Sequence, residues 1–212
     1  MNSKICLLNR RSGQMPRIFE FVIALFGTIV LLPFFLFIAV LLKLNSKGPI
    51  LYRAERAGQN GKAITVFKFR TMIREAEKCG PPITTQNDRR ITTIGKFLRR
   101  TKLDELPQLL NILKGDMRFV GPRPEDPGIV EKYTMRHKKI LKYKPGITSP
   151  ASIAYRAEEH SIPHDQWEEI YQKEILSNKI AIDLGYLQNA NFWSDILVVL
   201  ETIGIKKRKY KK

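Results

Sequence analysis

Between Phe21 and Leu42 the chain runs 22 residues without a charged side chain. As a straight helix such a run would span roughly 33 Å, enough to cross the hydrocarbon core of a bilayer. Pro33 stands near its middle, in Leu31-Leu32-Pro33-Phe34. Proline removes a helical hydrogen bond and crowds the preceding turn, so a bend is expected there. Two halves of roughly 17 Å each suit a hairpin that dips into one leaflet. The flanks agree: Lys4, Arg10, Arg11 and Arg17 precede the run, and Lys43, Lys47, Arg53, Arg56 and Lys62 follow it. Basic flanks favour the cytosolic side. A re-entrant helix places both there, whereas a single-pass anchor kinked at Pro33, the alternative, satisfies only one. A cleaved signal peptide is excluded, because the run is too long and no small-residue cleavage site follows.

The second constraint is Thr101 to Pro124, Thr-Lys-Leu-Asp-Glu-Leu-Pro-Gln-Leu-Leu-Asn-Ile-Leu-Lys-Gly-Asp-Met-Arg-Phe-Val-Gly-Pro-Arg-Pro. Thr101 offers a capping pattern before Asp104, and Pro107 is tolerated only in a first turn, so a helix is expected to begin near Asp104. Leu106, Leu109, Leu110 and Leu113 recur at helical spacing, and Gly115 suits a stop. Asp104 and Glu105 would then sit at the positive end of a helix dipole, which favours their ionised forms. An ionised Asp can attack phosphorus and a neighbouring Glu can hold a metal ion. Phosphoryl transfer needs positive charge around the moving group. Lys96, Arg99, Arg100 and Lys102 supply it on one side. On the other side Arg123 lies between two prolines that stiffen its loop, and its guanidinium can grip phosphate oxygens in pairs. On spacing alone, acids capping a helix and a solvated basic face explain the same residues.

Elsewhere the pattern is more ordinary. Gly48 to Met72 reads as a β-hairpin turning at Asn60-Gly61, and its second strand puts Lys68 and Arg70 on one face. Arg74 to Gly80 reads as a short helical piece, and Ile83 to Arg90 as a polar loop. Glu125 to Lys144 reads as helical beyond Pro127, and Pro145-Gly146 suits a type II turn. His160 and His164 are four apart, but Pro163 interrupts them and a polar loop is the better reading. Trp167 to Asn178 and Ile180 to Leu187 read as helices. Phe192, Ile196, Val199 and Ile203 make a stripe, with Trp193 beside it, that serves either a core or a membrane interface. The tail Lys206 to Lys212 carries six cations in seven residues. It would bind anionic headgroups at about 1 kcal/mol per cation.

Charge sets the partner class. The 37 basic and 20 acidic residues give a net charge of +17, which calls for an acidic partner: nucleic acid, an anionic membrane or a phosphorylated substrate. Cys6 and Cys79 fit neither a disulfide framework nor a zinc site. A membrane-tethered nucleic-acid-binding protein would explain the charge, but no helix-turn-helix, zinc finger or aromatic RNA-binding signature is visible, and no nucleic-acid partner is expected.

Several stretches together resemble one family. They are Arg90-Ile91-Thr92, Gly95 to Thr101, Leu103 to Leu109, Leu113 to Met117 and Val120-Gly121-Pro122-Arg123-Pro124. Tyr52 to Arg56, Phe67 to Met72 and Lys144 to Thr148 extend the likeness from about Arg17 to Thr202. The chain is identified as resembling the bacterial sugar transferases, monotopic phosphoglycosyl transferases that start surface-glycan assembly on a polyprenyl phosphate. The resemblance implies an α+β, mainly helical protein: an arm (1–16), a re-entrant membrane helix (17–47) bent at Pro33, a cytosolic catalytic domain (48–205) with interfacial helices, and a basic tail (206–212). It implies a UDP-sugar donor, a polyprenyl (undecaprenyl) phosphate acceptor and release of UMP. Asp104 would be the nucleophile and Glu105 the ligand of Mg²⁺. Arg99, Arg123 and Arg70 would bind substrate phosphates. Membrane lipids are expected partners, and a second copy of the chain would help hold an embedded hairpin. The pathway expected is exopolysaccharide, lipopolysaccharide or capsule synthesis at the cytosolic face of a bacterial inner membrane. A non-catalytic glycan-assembly scaffold is the remaining alternative. The chain departs from the family's usual form at Leu32, where Ser is common, and over Thr148 to Ile153.

Overall fold

The computed structural model describes residues 13–45, 47–81, 83–85, 88–156 and 167–205. Most of the arm, the His160 and His164 pair and the basic tail lie outside the described residues. Among the described residues the protein is mainly helical, with two small two-stranded sheets.

The apolar run forms α1, Arg17–Asn45, 29 residues with Pro33 inside. The helix continues through Pro33, so the two halves expected from the sequence are consecutive stretches of one helix rather than separate ones. Proline costs the helix a single backbone bond, and a helix with apolar surroundings keeps the others because nothing else can satisfy them. One face packs on the rest of the protein over almost the whole length. Ala24 joins a core with Ala54, Val66, Leu109, Ile112 and Met117. Ile38 and Leu42 join another with Phe69 and Leu98. The opposite face exposes large apolar side chains from Ile18 to Leu44. At the N-terminal end Glu20 is only 1% exposed. It accepts from Arg17 at 2.9 Å, from Arg118 at 3.2 Å and from the Phe119 amide at 3.2 Å.

The hairpin forms as expected, from β1, Leu51–Ala57, and β2, Ala63–Phe69, paired antiparallel from Leu51 opposite Phe69 to Ala57 opposite Ala63. Asn60 and Gly61 take positive φ in the turn, which these two residue types tolerate best. Ala54 and Val66, opposite each other in the register, are buried on one face of the hairpin, and Phe69, three residues beyond Val66, is buried on the other.

Next comes α2, Thr93–Thr101, capped by the Thr92 side chain, which accepts from the Gly95 amide at 3.0 Å. It ends at Lys102, whose φ of 60° turns the chain sharply. Here the structure corrects the sequence reading. Thr101 caps nothing; its hydroxyl donates back to the Phe97 and Leu98 carbonyls. Asp104 and Glu105 do not open an α-helix but lie in a 3₁₀ turn, Leu103–Gln108, which contains Pro107. Only then does α3 begin, Leu109–Lys114, ending at Gly115 with φ 84°. The tight exit from α2 leaves no room for a helical start at Asp104.

Two short strands, β3, Arg118–Val120, and β4, Gly146–Thr148, pair in parallel. Gly146 opens β4 and lacks the left-handed backbone of the type II turn read from Pro145-Gly146. Glycine is needed there for another reason: a Cβ would collide with the backbone of Gly121. Between the strands, α4, Pro127–Glu131, is capped by Asp126, which accepts from the Gly128 amide at 3.0 Å. A 3₁₀ segment, His137–Lys142, follows, so the helix expected beyond Pro127 is broken. After β4, α5 is Pro150–Ala154. The helix α6, Trp167–Ile170, passes through a π turn, Tyr171–Leu176, into α7, Ser177–Asn189. This run builds a third core with Ile129, Tyr133 and Ile140. Last comes α8, Phe192–Thr202, started by an Asn191–Ser194 capping box. Its buried residues are Asp195, Val198 and Glu201 rather than the expected stripe, and Trp193 is exposed.

Candidate functional site

The strand β2, the 3₁₀ turn after α2, the Pro122–Asp126 loop and α7 enclose a cavity of about 710 Å³. Asp104 and Glu105 line it together, and their environments differ. Glu105 Oε1 accepts from Lys68 Nζ at 2.9 Å and from Arg123 Nη2 at 3.0 Å. Burial opposes the charge of Glu105, but Arg123, Lys68 and Lys102 outweigh it and hold the carboxyl well below the usual range. Burial pulls Lys68 down as well, with Glu105 resisting that pull. Asp104 goes the other way. Burial and the adjacent Glu105 charge push its carboxyl up, and Lys68, Arg99 and Lys102 offset this only in part. Its Oδ1 is buried and receives no hydrogen bond.

The helix-dipole expectation is therefore corrected in cause for both residues and in outcome for Asp104 alone, since Glu105 does favour its ionised form. A 3₁₀ turn offers no extended dipole, and burial and neighbouring charges decide instead. Two carboxylates with separated proton affinities commonly take separate roles. Glu105 is a fixed anion already engaged by two cations. Asp104 keeps unshared lone pairs on a more basic oxygen, which is what a carboxylate nucleophile requires.

The other expected residues reach the cavity in different ways. Arg123 arrives as anticipated, on the loop between Pro122 and Pro124. Arg99 lines the cavity while donating to Thr71 at 2.8 Å and Thr84 at 2.5 Å. Arg70 also lines it, but is itself buried, and its guanidinium packs where a Cβ on Gly48 would stand. Lys68, which shares a strand face with Arg70, is the strand residue that bonds Glu105 of the acidic pair. Glu125, Tyr171 and Lys179 form a further wall that carries no local motif. There Glu125 Oε1 accepts from Tyr171 Oη at 2.6 Å and lies 3.6 Å from Lys179 Nζ.

Mg²⁺ is ordinarily held by one or two carboxylates, with phosphate oxygens and water completing the shell. The pair fits that pattern, since Asp104 Oδ1 is a buried acceptor without a donor beside a second carboxylate. Among the described residues no group of three or more His, Cys, Asp or Glu could hold an ion unaided. Substrate oxygens would have to complete the coordination.

Comparison with known proteins comes from the same segments. A family model described as bacterial sugar transferase matches residues 11–208. A UDP-glucose:undecaprenyl-phosphate glucose-1-phosphate transferase of Escherichia coli is 37% identical over 198 residues, covering 89% of this chain and 39% of its own length. A UDP-N-acetylgalactosamine-undecaprenyl-phosphate N-acetylgalactosaminephosphotransferase of Aeromonas hydrophila is 34% identical, covering 81% of this chain and 38% of its own length. The chain thus spans about two fifths of each of these relatives. The exopolysaccharide production protein PSS of Rhizobium leguminosarum is 37% identical, over 89% of this chain and 93% of that protein.

Proposed function

Because the chain belongs to the bacterial sugar transferase family, we propose that it transfers a sugar-1-phosphate from a UDP-sugar to a polyprenyl phosphate, undecaprenyl phosphate in a bacterial cell. The observation that carries this reading is Asp104 Oδ1, buried in a cationic cavity without a hydrogen-bond donor beside a Glu105 already engaged by Lys68 and Arg123. The reaction has two displacements. A carboxylate oxygen of Asp104 attacks the sugar-linked phosphorus, and the bond from that phosphorus to the bridging oxygen breaks, so that UMP leaves with the bonding electrons. A covalent phosphosugar remains on Asp104. An oxygen of the lipid phosphate then attacks the same phosphorus, the Asp104 bond breaks, and a lipid diphosphate sugar forms. Splitting one transfer into two lets a single carboxylate serve both substrates in turn.

The surrounding cations do the rest. Arg123 and Lys68 hold Glu105 and face the diphosphate, and Arg99 and Arg70 add positive charge along the cavity wall. Glu105, and Asp104 before it reacts, would hold Mg²⁺, which when bound supplies charge neutralisation for the diphosphate. The exposed apolar face of α1 suits embedding in one leaflet from the cytosolic side, which would bring the lipid phosphate to the cavity. The names of the relatives support the donor and acceptor classes, and the Rhizobium relative supports a role in exopolysaccharide synthesis.

The test is UMP release by detergent-purified protein with Mg²⁺, undecaprenyl phosphate and a panel of UDP-sugars, beside Asp104→Asn. UMP from one donor, absent from the variant, is the expected result. Full activity in Asp104→Asn overturns the nucleophile.

A further inference from the structure

Arg123 feels two carboxylates, the buried Glu105 and the half-buried Glu125. It donates to Glu105 at 3.0 Å, and Glu125, two residues along the same loop, also attracts it electrostatically. A guanidinium drawn toward Glu125 would desert Glu105 and the cavity. The charge that balances Glu125 comes from α7. Lys179 Nζ lies 3.6 Å from Glu125 Oε1 and donates to Tyr171 Oη at 3.2 Å, while Tyr171 donates to the same Glu125 oxygen at 2.6 Å. The ammonium also sits 5.1 Å from the centre of the Tyr171 ring.

The path of the loop is set by other contacts. The Glu125 carbonyl accepts from the Ala57 amide at 3.0 Å, and Asp126 pairs with Arg56 at 2.7 Å. Lys179 is therefore not needed to shape the loop, and what it adds is charge. Lys179 is buried and the Glu125 side chain is only 13% exposed, so the field of the ammonium is little screened. The π turn at Tyr171–Leu176 precedes it by one turn; such turns change which residues of a helix face a site, and here Tyr171 and Lys179 share one face.

We propose that Lys179, supported by Tyr171, is a positioning residue that neutralises Glu125 and so keeps Arg123 directed at Glu105 and at the anionic ligand of the cavity. The proposal rests on the reading of the cavity as a diphosphate site, and its test has a readout besides turnover. Inorganic pyrophosphate binding to the full chain in detergent is measured by calorimetry, beside kcat and donor KM for UMP release. Lys179→Met should weaken pyrophosphate binding about tenfold and raise KM more than it lowers kcat. Adding Glu125→Gln to Lys179→Met removes the competing carboxylate and should bring both values back to within about twofold of wild type. Lys179→Arg should retain binding. If the single Met variant does not fold, Lys179→Gln with Glu125→Gln carries the same expectation of recovered binding. Unchanged pyrophosphate affinity in Lys179→Met overturns the proposal, as does a double variant as weak as the single. A wild type that binds pyrophosphate but releases no UMP refutes the reaction proposed above and leaves the charge balance open to the same binding comparison.

Discussion

Lys68 Nζ donates to Glu105 Oε1 at 2.9 Å across 37 residues of chain. That contact makes neighbouring carboxylates unequal. Together with Arg123 it keeps Glu105 ionised, and its field partly offsets the burial of Asp104. Lys68→Met should therefore lower UMP release by about 10²-fold, the usual scale for one charge-stabilising donor. Without Lys68, Asp104 binds its proton more tightly, so the loss should be greater at pH 6 than at pH 9. Equal losses at both would sever Lys68 from the ionisation of Asp104.

Asp104 also sets the acid limb of the pH profile. Burial and Glu105 raise its carboxyl, and in the proposed reaction only the ionised form can attack. Activity should fall as pH drops through that raised value, above the ordinary Asp range near about 3.9. Glu105, held low, contributes no limb in that range. The check is kcat/KM against pH with a soluble donor. A profile flat down to about pH 4 would falsify this assignment.

Glu20 fastens α1 to the strand that leads to Arg123. It is buried, and of its two cationic partners Arg118, at 3.2 Å, is the less exposed. Glu20→Ala leaves Arg118 without its carboxylate and should cost about 3–5 kcal/mol, read as denaturant or thermal unfolding in detergent. The conservative Glu20→Gln should cost less, because it keeps an acceptor for the Phe119 amide. Similar stability in wild type and Glu20→Ala would show that α1 is held by apolar packing alone.

Asp183 on α7 accepts from the Ala151 amide at 3.0 Å, and burial pushes its carboxyl up to about 7. The folded value exceeds the unfolded one, so the stability it contributes is fully present below pH 3.8 and is lost as pH rises through about 7. A displacement of that size is worth at most about 4 kcal/mol. Asp183→Asn mimics the neutral acid and should stabilise the fold most above pH 7, with the gain shrinking toward pH 4. Melting temperatures of the two proteins across pH test this; a difference that does not vary with pH would rule out titration of Asp183.

Much of this was legible in the residues. The uncharged run from Phe21 to Leu42 had to form a long helix, because no other structure hides so many consecutive apolar side chains and satisfies its own backbone. Asn60-Gly61 had to turn a hairpin, because both tolerate positive φ. The prolines on either side of Arg123 had to restrict its backbone, and the acidic pair pointed to residues that line the cavity. These are properties of short stretches, and local sterics and periodicity decide them.

What only the tertiary structure decided is which charge meets which. Whether Asp104 or Glu105 stays unengaged depends on Lys68 and Arg123, which approach from 37 and 18 residues away. That Gly146 is required by its closeness to Gly121, rather than by a turn, depends on the pairing of β3 with β4. That Lys179 meets Glu125 depends on α7 packing against the loop that carries Glu125. Proton affinity follows burial and the sum of nearby charges, and both are set by parts of the chain that share no sequence neighbourhood.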